Sequence, residues 1–137
     1  MNAGHCPPLL VRGKDSILRL DAGGPVLGML AAARYETGDV MVEAGDLLVV
    51  YSDGIVEASD AQDEEFGEER LITAIRWNRR TRPAEICESI LASTKVFLGS
   101  GAPQDDQTLL IVRLEPRTDV ARSQRRDRTS VTAAAYK

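Results

Sequence analysis

The sequence predicts an α/β domain, and three stretches carry that expectation. Leu47 to Tyr51 is an unbroken apolar run with β-branched Val49 and Val50, entered by the Gly45-Asp46 turn, the pattern of a strand covered on both faces. Leu109 to Leu114 is a second run, apolar except for Arg113. Between them Pro83 opens a helical pattern: proline in the first turn, Glu85 early, and Ile86, Cys87, Ile90, Leu91 and Phe97 recurring at helical spacing until Leu98-Gly99-Ser100-Gly101 stops it. With 137 residues, 43% of them hydrophobic, the chain is long enough for one domain with a real core.

The remaining elements follow in order. Met1-Asn2-Ala3-Gly4-His5-Cys6-Pro7-Pro8 leads without a helix signal into the short strand Leu9-Leu10-Val11. Gly13-Lys14-Asp15-Ser16 then turns the chain back into Ile17-Leu18-Arg19-Leu20, an antiparallel hairpin. Asn2-Ala3-Gly4 reads as the exit from an earlier strand, as though the chain starts inside a domain. Asp21 to Pro25 is a loop whose glycine pair lacks the complete GxGxxG or GxxxxGK[ST] phosphate pattern. Val26 to Ala33 is apolar, and short strands are expected through Val42. After Ala58, the acidic stretch Ser59 to Glu65 reads as a solvated connection, and Phe66 to Arg76 as a short helix with Leu71, Ile72 and Ile75 inward. Arg76-Trp77-Asn78-Arg79-Arg80 sets cations at that helix's end, where they offset its dipole.

Charge is unevenly spread. Six Lys/Arg face two Asp from Pro116 onward, a tail of +4, whereas the first 115 residues hold eleven basic and nineteen acidic residues, a net −8. Phosphate-backbone binding needs clustered cations, so the acidic body argues against nucleic acid as a partner and suits divalent cations. The tail, residues 116–137, is rich in Arg, Ser, Thr and Ala and reads as disordered. No apolar stretch approaches the roughly 18 residues of a membrane span, and the first residues lack signal-peptide order, which points to the cytoplasm. Cys6 and Cys87 match no CxxC or zinc spacing and read as reduced, structural thiols.

The chemistry-bearing residues flank the two apolar runs. Asp53 stands where the first run ends, followed by Gly54, and Asp105-Asp106 stand just before the second. The plainer reading of Asp53-Gly54 is a turn aspartate bonding its own backbone. The other is a metal ligand or catalytic acid held on a rigid support. If the two strands are antiparallel neighbours, the carboxylates meet at one edge, which is costly without a shared cation. Hard divalent ions such as Mg2+ and Mn2+ take such oxygen ligands and activate bound water.

Five motifs now stand in a recognisable order: Asn2-Ala3-Gly4-His5 with Pro7-Pro8-Leu9-Leu10, Gly24-Pro25-Val26-Leu27-Gly28, Gly45 to Gly54 with Glu57-Ala58, Glu65-Phe66-Gly67, and Asp105-Asp106-Gln107-Thr108. Residues 1 to about 114 thereby resemble bacterial type 2C (PPM) phosphatases, in their sporulation-phosphatase and sigma-factor-regulating branch. The resemblance implies a partial two-layer antiparallel β-sandwich flanked by helices, occupying residues 1–115, with a binuclear Mn2+ or Mg2+ centre. It implies hydrolysis of phosphoserine or phosphothreonine on a regulatory protein, an anti-sigma-factor antagonist, without a phosphoenzyme. Carried over, Asp53 and Asp105 are metal ligands, Gly54 is the backbone companion of Asp53, and Asp106 falls where relatives carry Asn or Asp. His5 sits where other members have an acid near an accessory metal, and both a structural and a ligand or acid role stay open.

One departure matters: an upstream Asp-Gly metal motif of the family has no equivalent here. The chain then reads either as a truncated phosphatase or as a non-catalytic, phosphatase-derived interaction module, with exposed strand edges that invite self-association. A haloacid-dehalogenase-type DxDG site is excluded because Tyr51 stands at the nucleophile position. A serine hydrolase is excluded because Ser52 lacks a GxSxG context and has only the distant His5 as base.

Overall fold

The structure, a computed structural model, describes residues 1–13, 16–116 and the backbone of 131–136. In chain order its elements are β1 (Asn2–Ala3), β2 (Leu9–Arg12), β3 (Ser16–Arg19), β4 (Gly23–Gly24), β5 (Leu47–Tyr51), α1 (Asp53–Val56), α2 (Gly67–Asn78), α3 (Pro83–Leu98), β6 (Leu109–Leu114) and β7 (Val131–Tyr136). Five strands form one antiparallel sheet in the order β3-β2-β5-β6-β7, and β1 and β4 make a separate parallel pair.

β5 is the central strand. Its period of two places Leu47, Val49 and Tyr51 on one face, all buried, with Leu48 and Val50 half-buried on the other, so the run expected to be covered on both faces is fully covered on one. β2 pairs with it on one side, Leu9 opposite Val49, and β6 on the other, Tyr51 opposite Leu109. The expected hairpin is β2–β3, one residue earlier than the sequence suggests, and the Leu20 N–H continues it by bonding the Pro8 carbonyl at 2.9 Å.

The helices cover the face of Leu9, Val11, Leu47, Val49, Tyr51, Leu109 and Ile111. α3 spans the expected residues. It buries Ile86, Cys87, Ile90, Thr94 and Leu98, with Leu91 and Phe97 packed at the border of the core. Each fully buried Ile or Leu is worth about 1.5–3 kcal/mol over exposure, which is why the apolar stripe outweighs the unexceptional propensity of Ser, Thr and Val in this helix. At its start Glu85 accepts bonds from the Arg82 N–H at 3.0 Å and from the Arg82 guanidinium at 2.6 Å. α2 adds Leu71, Ala74 and Ile75 to the core. Phe66 and Phe97 meet edge to face at 5.6 Å, and the Arg70 guanidinium lies 4.6 Å from the centre of the Phe97 ring.

Two expectations change. No strand lies between Pro25 and Ala44 among the described residues, where Val26, Leu27, Met29, Leu30, Val40, Met41 and Val42 form no strand ladder and stay exposed, Met41 at 83%. That loop is held by polar ties instead. Asp46, 2% exposed, accepts from Arg12 Nε and Nη2 and from the Glu43 N–H, and Arg12 also donates to the Met41 carbonyl. The tail expected to be disordered from 116 falls mostly on 117–130 and 137, outside the described residues. At 131–136 the expectation gives way to β7, whose backbone pairs with groups β6 would otherwise present as an open edge.

The α/β class therefore holds, with an antiparallel sheet and a helical layer. The face away from the helices carries buried Leu10, half-buried Leu48, Val50, Leu110 and Val112, and exposed Leu18; among the described residues no second full sheet packs there. β3 and β7 are the edges.

Candidate functional site

Antiparallel pairing of β5 with β6 brings the exit of one strand to the entrance of the other. Ser52, just past β5, ties the two segments together. Its N–H donates to the Thr108 carbonyl at 3.0 Å, its hydroxyl donates to the Asp106 carbonyl at 3.0 Å, and the Thr108 N–H donates back to that hydroxyl oxygen at 2.9 Å. Gln107 Nε2 donates to the Gly54 carbonyl at 3.2 Å. Gly54 is buried, and a Cβ on it would stand 2.5 Å from the Asp106 carbonyl oxygen, so only glycine admits this approach.

Asp53, Asp105 and Asp106 are exposed around that junction. Asp53 Oδ1 accepts the Gly54 N–H at 3.0 Å and Asp105 Oδ1 accepts the Asp106 N–H at 2.7 Å, so each carboxylate uses one oxygen locally and keeps the other. A cleft of about 190 Å³ opens between Gly54, Glu57, Ala58 and Ser59 and the facing Gln104 and Asp105, with Glu65 also lining it. A larger groove of about 710 Å³ between α2 and α3 touches none of Asp53, Asp105 and Asp106.

The donors here are carboxylate and carbonyl oxygens, the type hard divalent ions prefer. They do not make a complete cage: among the described residues no three His, Cys, Asp or Glu side chains gather closely enough to hold a metal ion. The residues present fit part of a ligand set and not the whole.

The structure thus joins Asp53-Gly54 to Asp105-Asp106. His5 is exposed and its hydrogen bonds stay in its own loop: Nδ1 lies 3.0 Å from the Cys6 carbonyl, while the Asn2 side chain accepts the His5 N–H and donates to its carbonyl. Burial pushes the neighbouring Cys6 thiol up, and the negative charges of Asp53, Glu57 and Glu68 add to the effect, which marks this end of the sheet as acidic. Sequence reasoning passed over Ser52, Gln107 and Thr108 as site residues. The Ser52-Asp53-Gly54 motif could have drawn attention to the serine, whereas nothing local signals a partner 54 to 56 residues away.

Comparisons with known proteins bear on the family and the fold. The family described as Stage II sporulation protein E (SpoIIE) matches residues 1–115. Protein IcfG of Synechocystis sp. is 27% identical over 112 residues, 82% of this chain and 18% of that protein. Stage II sporulation protein E of Bacillus subtilis is 27% identical over 119 residues, 86% of this chain and 14% of that protein. The chain therefore spans less than a fifth of these two relatives. Among solved structures, the phosphatase domain of the cell fate determinant SpoIIE from Bacillus subtilis, presoaked with Mn, superposes with a TM-score of 0.64 at 23% identity, over 85% of this chain and 50% of that one. A second structure of the phosphatase domain of the cell fate determinant SpoIIE from Bacillus subtilis superposes with a TM-score of 0.62. With five motifs in order, the strand pairing that joins two of them, and a family match over residues 1–115, the chain belongs to the SpoIIE family.

Proposed function

We propose that this chain supplies part of the active site of a metal-dependent protein phosphatase that hydrolyses phosphoserine or phosphothreonine on a regulatory protein, an anti-sigma-factor antagonist. The observation that carries the reading is the Ser52-centred junction, which holds the Asp53-Gly54 turn against the Asp105-Asp106 loop in a chain of this family. In this reading Asp53 and Asp105 are ligands for Mn2+ or Mg2+, the Gly54 backbone accompanies Asp53, Asp106 is a secondary donor, and His5 is an accessory group.

Charge supports a cation at this place. Asp105, Glu57 and Glu65 line one small cleft, with Asp53 adjoining it, and a phosphate dianion is repelled from such a site until positive charge neutralises it. A bound divalent ion supplies that charge and lowers the pKa of water it holds. The chain's own residues contribute the oxygen donors and, through Gly54, the close approach of the two loops that carry them. No helix among the described residues is long and apolar enough to cross a membrane. Cys6 and Cys87 are not joined as a disulfide, in keeping with a cytoplasmic setting.

The incomplete cage supports a second reading, a non-catalytic interaction module derived from the phosphatase fold that self-associates through its strand edges. One experiment separates the two: Mn2+-dependent hydrolysis of a phosphoserine peptide and of p-nitrophenyl phosphate. It is run on the chain alone and on the chain mixed with the upstream half of a SpoIIE-type phosphatase domain, each with and without Asp53→Ala. Poor turnover by the chain alone, restored by the added half and abolished by Asp53→Ala, is expected. Robust turnover by the chain alone contradicts the need for an upstream ligand. Restored turnover that survives Asp53→Ala removes Asp53 from the metal centre, and no turnover in any mixture favours the interaction module.

A further inference from the structure

Tyr51 ends β5, two residues before Asp53. Its side chain is 2% exposed, and its hydroxyl donates to Glu68 Oε2 at 2.7 Å. Glu68 lies in the first turn of α2, and Arg19 Nη1, from the end of β3, donates to both its carboxylate oxygens at 2.7 and 2.8 Å. Three elements distant in the chain thus converge on one carboxylate.

The neighbouring ties give this arrangement its consequence. Beyond Tyr51, the Ser52–Gly54 turn is bonded to Asp106, Gln107 and Thr108, the other half of the same junction. Those bonds fix the halves to one another; the Tyr51 hydroxyl fixes the turn to the helix layer. The bond is charge-assisted and half-shielded from water, since the Glu68 side chain is 24% exposed. Glu68 also acts on the Cys6 thiol alongside Asp53 and Glu57, so it belongs to the same acidic field, and Arg19 neutralises it there.

We propose that Arg19, Glu68 and Tyr51 form a positioning relay that sets where β5 ends, and so holds the Asp53 turn with its attached Asp105 loop against α2 and the β2–β3 hairpin. The functional weight of the relay rests on the reading of Asp53 and Asp105 as site residues; its mechanical part does not.

The test uses the whole chain and amide hydrogen exchange followed by NMR. Tyr51→Phe keeps the ring and removes the donor, Glu68→Ala removes the acceptor, and Glu68→Gln keeps an acceptor for Tyr51 while dropping the charge pair. Exchange at the Ser52 and Thr108 amides should rise about 10-fold in Tyr51→Phe and Glu68→Ala, the effect of losing one hydrogen bond to a charged group, while α3 amides such as Ile90 and Thr94 keep their rates. Glu68→Gln should fall between these variants and the unaltered chain. Unaltered exchange at Ser52 and Thr108, or equal acceleration throughout α3, overturns the relay. Mn2+ titration of the same variants checks the link to the site, with affinity expected about 10-fold lower in Tyr51→Phe. Affinity that is lost in Asp53→Ala but unchanged in Tyr51→Phe and Glu68→Ala overturns that link. Affinity unchanged in Asp53→Ala overturns the metal reading, and the exchange rates then decide the relay alone.

Discussion

Replacing Gly54 with alanine tests the junction where it is tightest. The new Cβ would stand 2.5 Å from the Asp106 oxygen, 3.1 Å from the Asp106 carbonyl carbon and 3.3 Å from that of Asp105. All three are backbone atoms, so no rotamer change relieves the contact. Ordinary contact begins at 3.4 Å, which requires the loop to retreat by about 0.9 Å from the turn. A retreat of that size along the Ser52 Oγ–Asp106 and Gln107–Gly54 bonds, now 3.0 and 3.2 Å, takes both beyond hydrogen-bonding length. Overpacking costs about 1–3 kcal/mol and each neutral hydrogen bond about 1, so a net loss of roughly 2–3 kcal/mol is expected after partial relaxation. At this chain length that lowers the melting midpoint by roughly 6–12 °C. Circular dichroism melts should include Gly45→Ala, at the other end of β5, as a control. There φ is +92° and a Cβ meets nothing within 4 Å, so the penalty is backbone strain alone, about 1–2 kcal/mol. Under the phosphatase reading Gly54→Ala also weakens Mn2+ binding where Gly45→Ala does not. A Gly54→Ala chain that melts within about 1 °C of the unaltered one would refute the close approach from which the junction is argued.

The other predictions are independent of the metal. Asp46→Ala leaves Arg12 and the Glu43 N–H without their acceptor; because the Arg12 side chain is 28% exposed and can turn to water, about 2–3 kcal/mol is expected in urea denaturation, below the full cost of breaking a buried pair. Ile90→Ala empties a fully buried position facing the sheet and should cost about 2–4 kcal/mol by the same assay, whereas Trp77→Ala, at 84% exposure, should stay within about 0.5 kcal/mol. Burial, with a smaller push from Glu88, drives the Cys87 thiol from an ordinary 9.0 up to about 11. The folded state then binds its proton more tightly than the unfolded state, so stability is fully present below pH 9 and falls as pH rises toward 11. Denaturant midpoints across pH 8–11 should show that decline, and Cys87→Ala should reduce it without removing it, because burial also raises the Cys6 thiol and the Tyr51 hydroxyl.

β5 and α3 were legible because in each the apolar period, the punctuation and the burial agree: Gly45-Asp46 before one, Pro83 and Gly99 around the other, and a core that takes the face each pattern presents. The loop from Val26 to Val42 was not. Its apolar content resembles that of strands, but strand formation needs a ladder of bonds to a neighbour, and among the described residues its only backbone-to-backbone bond to a strand runs from the Glu36 N–H to the Gly23 carbonyl at 3.0 Å. The Arg19–Glu68–Tyr51 convergence was beyond reach for a different reason: its members stand 49 and 17 residues apart, and no spacing rule spans such distances.

The Asp53–Asp105 junction lies between these cases, since the motifs marked the residues and only strand order could say whether they meet. Register decides it. With Tyr51 opposite Leu109, Thr108 falls beside Ser52, and Leu109 and Ile111 face the helices together with Val49 and Tyr51. A slip of one residue in β6 would turn Leu109 and Ile111 away from the core and, in the same movement, carry Thr108 off Ser52. Burial of the core therefore enforces the contact between the two acidic segments. Any variant that keeps this core packed brings the Asp53 turn and the Asp105 loop to the same end of the sheet, and the contacts of Ser52, Gly54 and Gln107 then set how closely they meet.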